Sequence, residues 1–195
     1  MFTGIIEATG TILRISAQSG KKLLTITRPS QFDDLKTGAS IACDGICLTV
    51  LSFDAKSFSV EIMNETIQKT TAKSWQINRI LNLERAMQLG GRLDGHWLQG
   101  HVDRELRVIA KQILTGTDYL KIELNNADKG LLVPQGSVAI NGVSLTIAEL
   151  KPNYLSIALI GHTLEGSNLS TLKAGDRINV EYDILGKYIM QQRIK

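Results

Sequence analysis

Cysteine, proline and histidine are scarce in this chain, with two, three and three among 195 residues. Two thiols, Cys43 and Cys47, are too few for a disulfide framework. Together with the dispersed histidines they also fall short of what a closed zinc site takes. No metal is expected, and in a reducing compartment both thiols stay free. Aromatic residues are only 5% and the net charge is a modest +3, with Lys and Arg scattered along the chain. A nucleic-acid surface concentrates basic residues and adds aromatics for stacking, so no nucleic-acid partner is expected. No apolar run approaches the roughly 20 residues that span a bilayer, so no membrane partner is expected either. The opening Met1-Phe2-Thr3-Gly4-Ile5-Ile6-Glu7 lacks the basic flank and apolar core of a secretory signal, so a cytoplasmic location is expected. A G-x-G-x-x-G between a strand and a helix is also missing, which leaves a flavin-dependent oxidoreductase without support.

What is present is a globular composition, 43% hydrophobic and 21% charged, and an internal repeat. Residues 40–50, SIACDGICLTV, match residues 137–147, SVAINGVSLTI, at five identical positions of eleven, with an offset of 97. The same offset brings Thr66 to Thr163 and Asn82-Leu83-Glu84 to Asn179-Val180-Glu181. Near the start of each half the register slips by one, so that Phe2-Thr3-Gly4 matches Leu98-Gln99-Gly100. Two similar units are implied, meeting at the glycine-rich stretch around Gly90, Gly91 and Gly95. Domain bounds of 1–94 and 95–183 are expected.

Each unit reads as β structure. Short β-branched runs are punctuated by turn signals, and Asp44-Gly45 and Asn141-Gly142 each sit between two apolar runs. Such dipeptides suit a type I′ turn, whose central residues both need positive φ. That turn places Cys43 opposite Ile46 and Ala42 opposite Cys47, so the two cysteines are not cross-strand partners. A small antiparallel barrel or sandwich per half follows. Short capping helices are expected at 29–35 and 126–132. After the second unit, residues 184–195 put Leu185, Tyr188, Ile189 and Gln192 on one helical face. A helix this short needs a partner surface, and an oligomer contact is expected there.

In this order the motifs resemble the riboflavin synthase family over nearly the whole chain. The resemblance is carried by the opening Met1-Phe2-Thr3-Gly4-Ile5, by the duplicated (N/D)-G-x-(C/S)-L-T hairpin, and by 95–103, GHWLQGHVD. It is carried also by Glu65-Thr66 against His162-Thr163-Leu164-Glu165, and by 183–188, DILGKY. It implies an all-β chain of two tandem six-stranded Greek-key antiparallel barrels followed by a C-terminal helix. It implies a homotrimer held by those helices, and a site made by the first barrel of one chain and the second barrel of a neighbour. The implied activity is that of a transferase without cofactor. Two molecules of 6,7-dimethyl-8-ribityllumazine dismutate by four-carbon transfer into riboflavin and 5-amino-6-ribitylaminouracil, the final step of riboflavin biosynthesis. Association with lumazine synthase is a further expectation.

A dismutation of two identical molecules needs two sites of similar shape, and a duplicated barrel supplies them. Orientation then lowers much of the barrier. The sites must still differ, since one substrate gives carbon and the other takes it. The largest polar difference at equivalent positions is Cys47 against Ser144. A thiol is the better nucleophile and acid, so Cys47 is assigned to the acceptor or activating site and Ser144 to hydrogen bonding at the donor site. Cys43 stands opposite Ile140 in the repeat and reads as core. A base must remove a proton from the acidic methyl group of the substrate. The resemblance gives this role to His101, whose residue type titrates in the right range; His96 is the weaker candidate, with a role in fixing the connection. Thr49 and Thr146 share a strand face with Cys47 and Ser144, either to bond the heterocycle or as ordinary strand residues. Ser40, Glu65, Thr66 and Thr163 are candidates for the polyol chain, and His162, aligned with Glu65, faces the ligand or caps a turn. Phe2, Thr3 and Gly4 come from the N-terminal signature as site residues. Asp183 precedes the final helix as a site residue or its N-cap.

The chain departs from the family at Gln135, where lysine is common, at Arg104-Glu105, where a glycine is common, and at Ile77-Asn78. Asp44 and Asn141 exchange the usual Asn and Asp. The first departure bears on ligand binding. Two rivals share the fold: a non-catalytic antenna protein carrying a lumazine or flavin, and a barrel pair that binds a partner protein through a sheet edge.

Overall fold

The computed structural model describes residues 1–18 and 20–193. The first half forms β1 (Ala8–Gln18), β2 (Lys21–Thr27), β3 (Ser40–Cys43), β4 (Ile46–Phe53), β5 (Ser57–Met63), α1 (Asn64–Lys69) and β6 (Ile80–Arg85). The second repeats the series as β7 (Arg104–Leu114), β8 (Thr117–Glu123), β9 (Ser137–Ile140), β10 (Val143–Leu150), β11 (Tyr154–Leu159), α2 (Gly161–Gly166) and β12 (Arg177–Tyr182), followed by α3 (Ile184–Arg193). Each half closes into a six-stranded antiparallel barrel, ordered β1-β2-β5-β4-β3-β6 in the first. The jump from β2 to β5 is the Greek-key crossing.

The two hairpins form as their dipeptides demand. Asp44 and Gly45 have φ of 45° and 78°, Asn141 and Gly142 of 45° and 81°, and the register pairs Cys43 with Ile46 and Ala42 with Cys47. Bulges interrupt β1, β4, β7 and β10 at matching places. Such bulges bend strands and so help a sheet close on itself. The barrel interiors are apolar: Ile12, Leu24, Ile26, Val50, Phe58 and Leu83 in the first, Val108, Leu120, Ile122, Ile147, Ile157 and Val180 in the second.

The expected helix at 29–35 is a pair of turns instead. The segment closes on an i→i+3 bond from the Phe32 backbone to the Pro29 carbonyl at 3.0 Å, Arg28 holds the carbonyls of Phe32 and Asp33 at 2.9 and 3.3 Å, and Phe32 and Leu35 bury their side chains against the first barrel. In the second half the expected helix is a single 3₁₀ turn, Asn126–Asp128, closed by reciprocal bonds between Asn125 and Asp128 and followed by a turn at 129–131. The C-terminal helix is present, with Leu185, Tyr188 and Ile189 each more than half exposed. Positions 194 and 195 of its expected range lie outside the described residues.

The barrels meet across a buried polar seam with approximate two-fold symmetry. Asn82 Nδ2 donates to the Asn141 carbonyl at 3.0 Å, and its counterpart Asn179 Nδ2 donates to the Asp44 carbonyl at 2.9 Å. Asn82 Oδ1 accepts from the Asn168 backbone at 2.7 Å, and Asn179 Oδ1 from the Thr71 backbone at 2.8 Å. The repeat explains why these bonds come in pairs.

Candidate active site

Two short straps cross between the halves. Phe2 and Leu98 pair as an antiparallel bridge and pack with Ala42 and Ala139, Cys47 lying against the same cluster. Beyond that bridge each strap is held by a buried carboxylate. Glu84 accepts from the backbone of Thr3 and Gly4 at 2.6 and 3.0 Å, and from the Thr3 hydroxyl at 2.8 Å. Glu181 accepts from the backbone of Gln99 and Gly100 at 2.7 and 3.1 Å. Burial pushes both carboxyls above their ordinary range, against the pull of these bonds.

Each strap then runs onto the opposite barrel. The Gly100 carbonyl accepts from the Cys47 backbone and the Gly4 carbonyl from the Ser144 backbone, both at 2.8 Å. Glycine is required at both positions. Their φ values are 75° and 80°, and a Cβ on Gly100 would lie 2.5 Å from Cys47 Cβ, one on Gly4 2.6 Å from Ser144 Cβ.

Two equivalent clefts result. The first, of about 500 Å³, is lined by Ile46 and Cys47 of the hairpin, by Glu65, Thr66, Lys69 and Thr70 of α1 and its end, and by Gly100, His101 and Val102 of the strap. The second, of about 80 Å³, has Val143 and Ser144, then His162, Thr163, Gly166 and Ser167 from α2 and its end, then Gly4, Ile5 and Ile6. Cys47, His101, Glu65 and Thr66 are thus brought together, as are Ser144, His162, Thr163 and Gly4. Glu65 is exposed and paired with Lys69 at 2.7 Å, which holds its carboxyl below the usual range. Cys43 is fully buried, and burial pushes its thiol up, so it belongs to the core.

The other candidates surround these clefts. Thr49 and Thr146 are exposed, opposite Ser40 and Ser137 on neighbouring strands. Ser40 and Thr3 line a separate groove of about 540 Å³ with Glu84 and Arg85. Phe2 is buried in the seam between the barrels. Gln135 sits exposed at a turn with φ of 62°. Asp183 Oδ1 accepts from the Leu185 backbone at 3.0 Å, capping α3.

Sequence reasoning missed the strap clamps, although the repeated Asn-x-Glu at 82–84 and 179–181 was their signal. His96, the weaker of the two histidine candidates, stands 2.7 Å from Ser144 Oγ through Nδ1. Among the described residues no group of three or more His, Cys, Asp or Glu is placed to hold a metal, and no helix is long and apolar enough to cross a membrane.

A duplicated pair of barrels, each with a cleft between its hairpin, its short helix and the strap from the other half, has the form of a small-molecule binding protein. The lumazine binding domain model matches residues 3–86 and 99–183, and the chain belongs to that family. It is 38% identical over 189 residues to the riboflavin synthase of Bacillus subtilis (strain 168), covering 97% of this chain and 88% of that protein. It is 35% identical over 195 residues to the riboflavin synthase of Actinobacillus pleuropneumoniae, covering 100% of this chain and 91% of that protein. Among solved structures, LumP complexed with 6,7-dimethyl-8-(1'-D-ribityl) lumazine is 25% identical, with a TM-score of 0.84, over 93% of this chain and 98% of that one.

Proposed function

We propose that this chain is a riboflavin synthase that binds one 6,7-dimethyl-8-ribityllumazine in each type of cleft and transfers a four-carbon unit between them. The observation that carries the reading is the pair of clefts equivalent in backbone but different in chemistry, with Cys47 and His101 in one and Ser144 in the other. Two substrate molecules equal riboflavin and 5-amino-6-ribitylaminouracil atom for atom, so no outside oxidant or reductant enters. His101 takes a proton from the acidic methyl group. Cys47 activates the acceptor molecule, and Ser144 bonds the donor. Glu65, Thr66, His162 and Thr163 stand at the rims as partners for the ribityl hydroxyls, and Thr49 and Thr146 continue the polar strand faces.

No lining residue is common to the two clefts. This supports a reaction centre assembled from the first barrel of one copy and the second barrel of another. The exposed Leu185, Tyr188 and Ile189 of α3 support a homotrimer joined through these helices. The reading carries with it a cytoplasmic location and an association with lumazine synthase.

One observation favours a second reading. The clefts differ in volume, about 500 against 80 Å³, which suits a carrier of a single lumazine or flavin, and LumP shares the fold. Turnover separates the two. Purified protein is incubated with 6,7-dimethyl-8-ribityllumazine alone and riboflavin is followed by absorbance and chromatography. One riboflavin per two substrates establishes the synthase, and Cys47→Ser and His101→Ala then rank the roles. Binding without turnover identifies the carrier, and neither result leaves only the barrel pair.

A further inference from the structure

Ser144 and Cys47 occupy equivalent places, yet only Ser144 has a histidine on its side-chain oxygen. Among the described residues no histidine nitrogen is hydrogen-bonded to Cys47 as His96 is to Ser144. The His96 backbone N–H donates to the Thr3 carbonyl at 3.1 Å, and its imidazole is 7% exposed. Nδ1 stands 2.7 Å from Ser144 Oγ. Among the described residues Nε2 is buried with no hydrogen-bond partner.

Burial disfavours the charged imidazole, with Asp183 pulling the other way, which favours the neutral ring. One nitrogen then carries the hydrogen. Were it Nε2, a buried N–H would be left without an acceptor. Were it Nδ1, the unpaired group would be a lone pair. Orphaned buried N–H groups are rarer than under-satisfied acceptors, so the hydrogen belongs on Nδ1 and points at Ser144 Oγ. The hydroxyl has one hydrogen, and with its oxygen engaged as acceptor that hydrogen is free to turn into the cleft.

We propose that His96 is a positioning residue that commits Ser144 to donating a hydrogen bond, so that the molecule in the second cleft presents an acceptor, a carbonyl oxygen or ring nitrogen, to Ser144 Oγ. This rests on the function proposed above and assigns an asymmetry to it. The second cleft offers a fixed hydroxyl donor, where the first offers a thiol. It also opposes a serine–histidine nucleophile, in which Nδ1 would have to accept the serine proton.

The test begins with the wild-type protein. ¹⁵N NMR of the histidine ring at pH 7.5 is expected to show His96 protonated at Nδ1 and bare at Nε2. The reverse tautomer overturns the proposal. Kinetics with 6,7-dimethyl-8-ribityllumazine follow. His96→Asp puts an acceptor where the donor stood and draws the Ser144 hydrogen back to itself. It is expected to lower kcat/KM about tenfold, the equivalent of one lost hydrogen bond, with the loss in KM. His96→Asn restores an N–H near the Nδ1 position and recovers most of that loss. His96→Asp at wild-type kcat/KM overturns the proposal. Absence of turnover in the wild type would remove the synthase reading instead, and the tautomer would still decide the histidine.

Discussion

Gly45 and Gly142 face each other at the tips of the two hairpins, so closely that a Cβ on either would lie 2.8 Å from the backbone nitrogen of the other. Both have positive φ, and both glycine positions must lack a Cβ for the barrels to dock. Gly45→Ala therefore combines backbone strain with overpacking and is expected to cost ~3 kcal/mol. Calorimetry should show a Tm lowered by roughly 6–12 °C. Gly116→Ala is the control: its φ is 81° but nothing lies within 4 Å, so only the strain, ~1 kcal/mol, is expected.

Asn168 is the hub of the seam. Its side chain donates to Asp44 Oδ1 at 2.8 Å and to the Ile80 carbonyl at 3.1 Å, and accepts from Asn82 and Asn141 at 3.1 and 3.3 Å. Asn168→Ala strips partners from three buried polar groups and is expected to cost ~3 kcal/mol or more in urea unfolding.

The hairpins and the repeat were legible because their chemistry is local: Asp44-Gly45 and Asn141-Gly142 specify a turn within two residues. The straps were not, because the Gly100–Cys47 contact joins segments far apart in sequence and leaves no periodic trace. The absent helix at 29–35 failed for a similar reason. Its turns are fixed by the burial of Phe32 and Leu35 against the first barrel, and nothing in the segment itself announces that. The matching places of Cys47 and Ser144 followed from the repeat, whereas the bond from His96 to Ser144 depends on where the link between the halves is tied down.

Glu84 and Glu181 carry a pH signature. Burial raises both carboxyls in the folded protein, so from the unfolded value near ~4.3 upward the folded state binds more protons than the unfolded one. Their contribution to stability is present at lower pH and is lost as pH rises through the raised folded value, opposite in sign to a salt-bridged carboxylate. Tm measured from about pH 4.5 upward should decline through that window, and the double variant Glu84→Gln, Glu181→Gln should flatten the decline.

His101 is exposed on the strap beside Cys47. His101→Ala is expected to lower kcat for riboflavin formation by ~10²-fold or more. Unfolding free energy should change by no more than about 0.5 kcal/mol. A variant that loses stability in step with activity would remove the base role.

Leu185 and Ile189 lie exposed on α3. Placing aspartate at both is expected to convert a trimer into monomers in light scattering, and to abolish turnover while each barrel stays folded. Wild-type protein that is already monomeric and active would overturn the assembly.

Each strap is encoded beside one barrel and walls the cleft of the other. The stretch of chain that was repeated and the stretch that lines each cleft are therefore not the same. A fragment cut at residue 94 would keep Cys47 and lose His101, and the complementary fragment would keep Ser144 and lose Gly4. Fragment complementation has to respect this offset, since the first half becomes a complete receptacle only when carried through Val102, and the second only when it is supplied with a separate N-terminal strand.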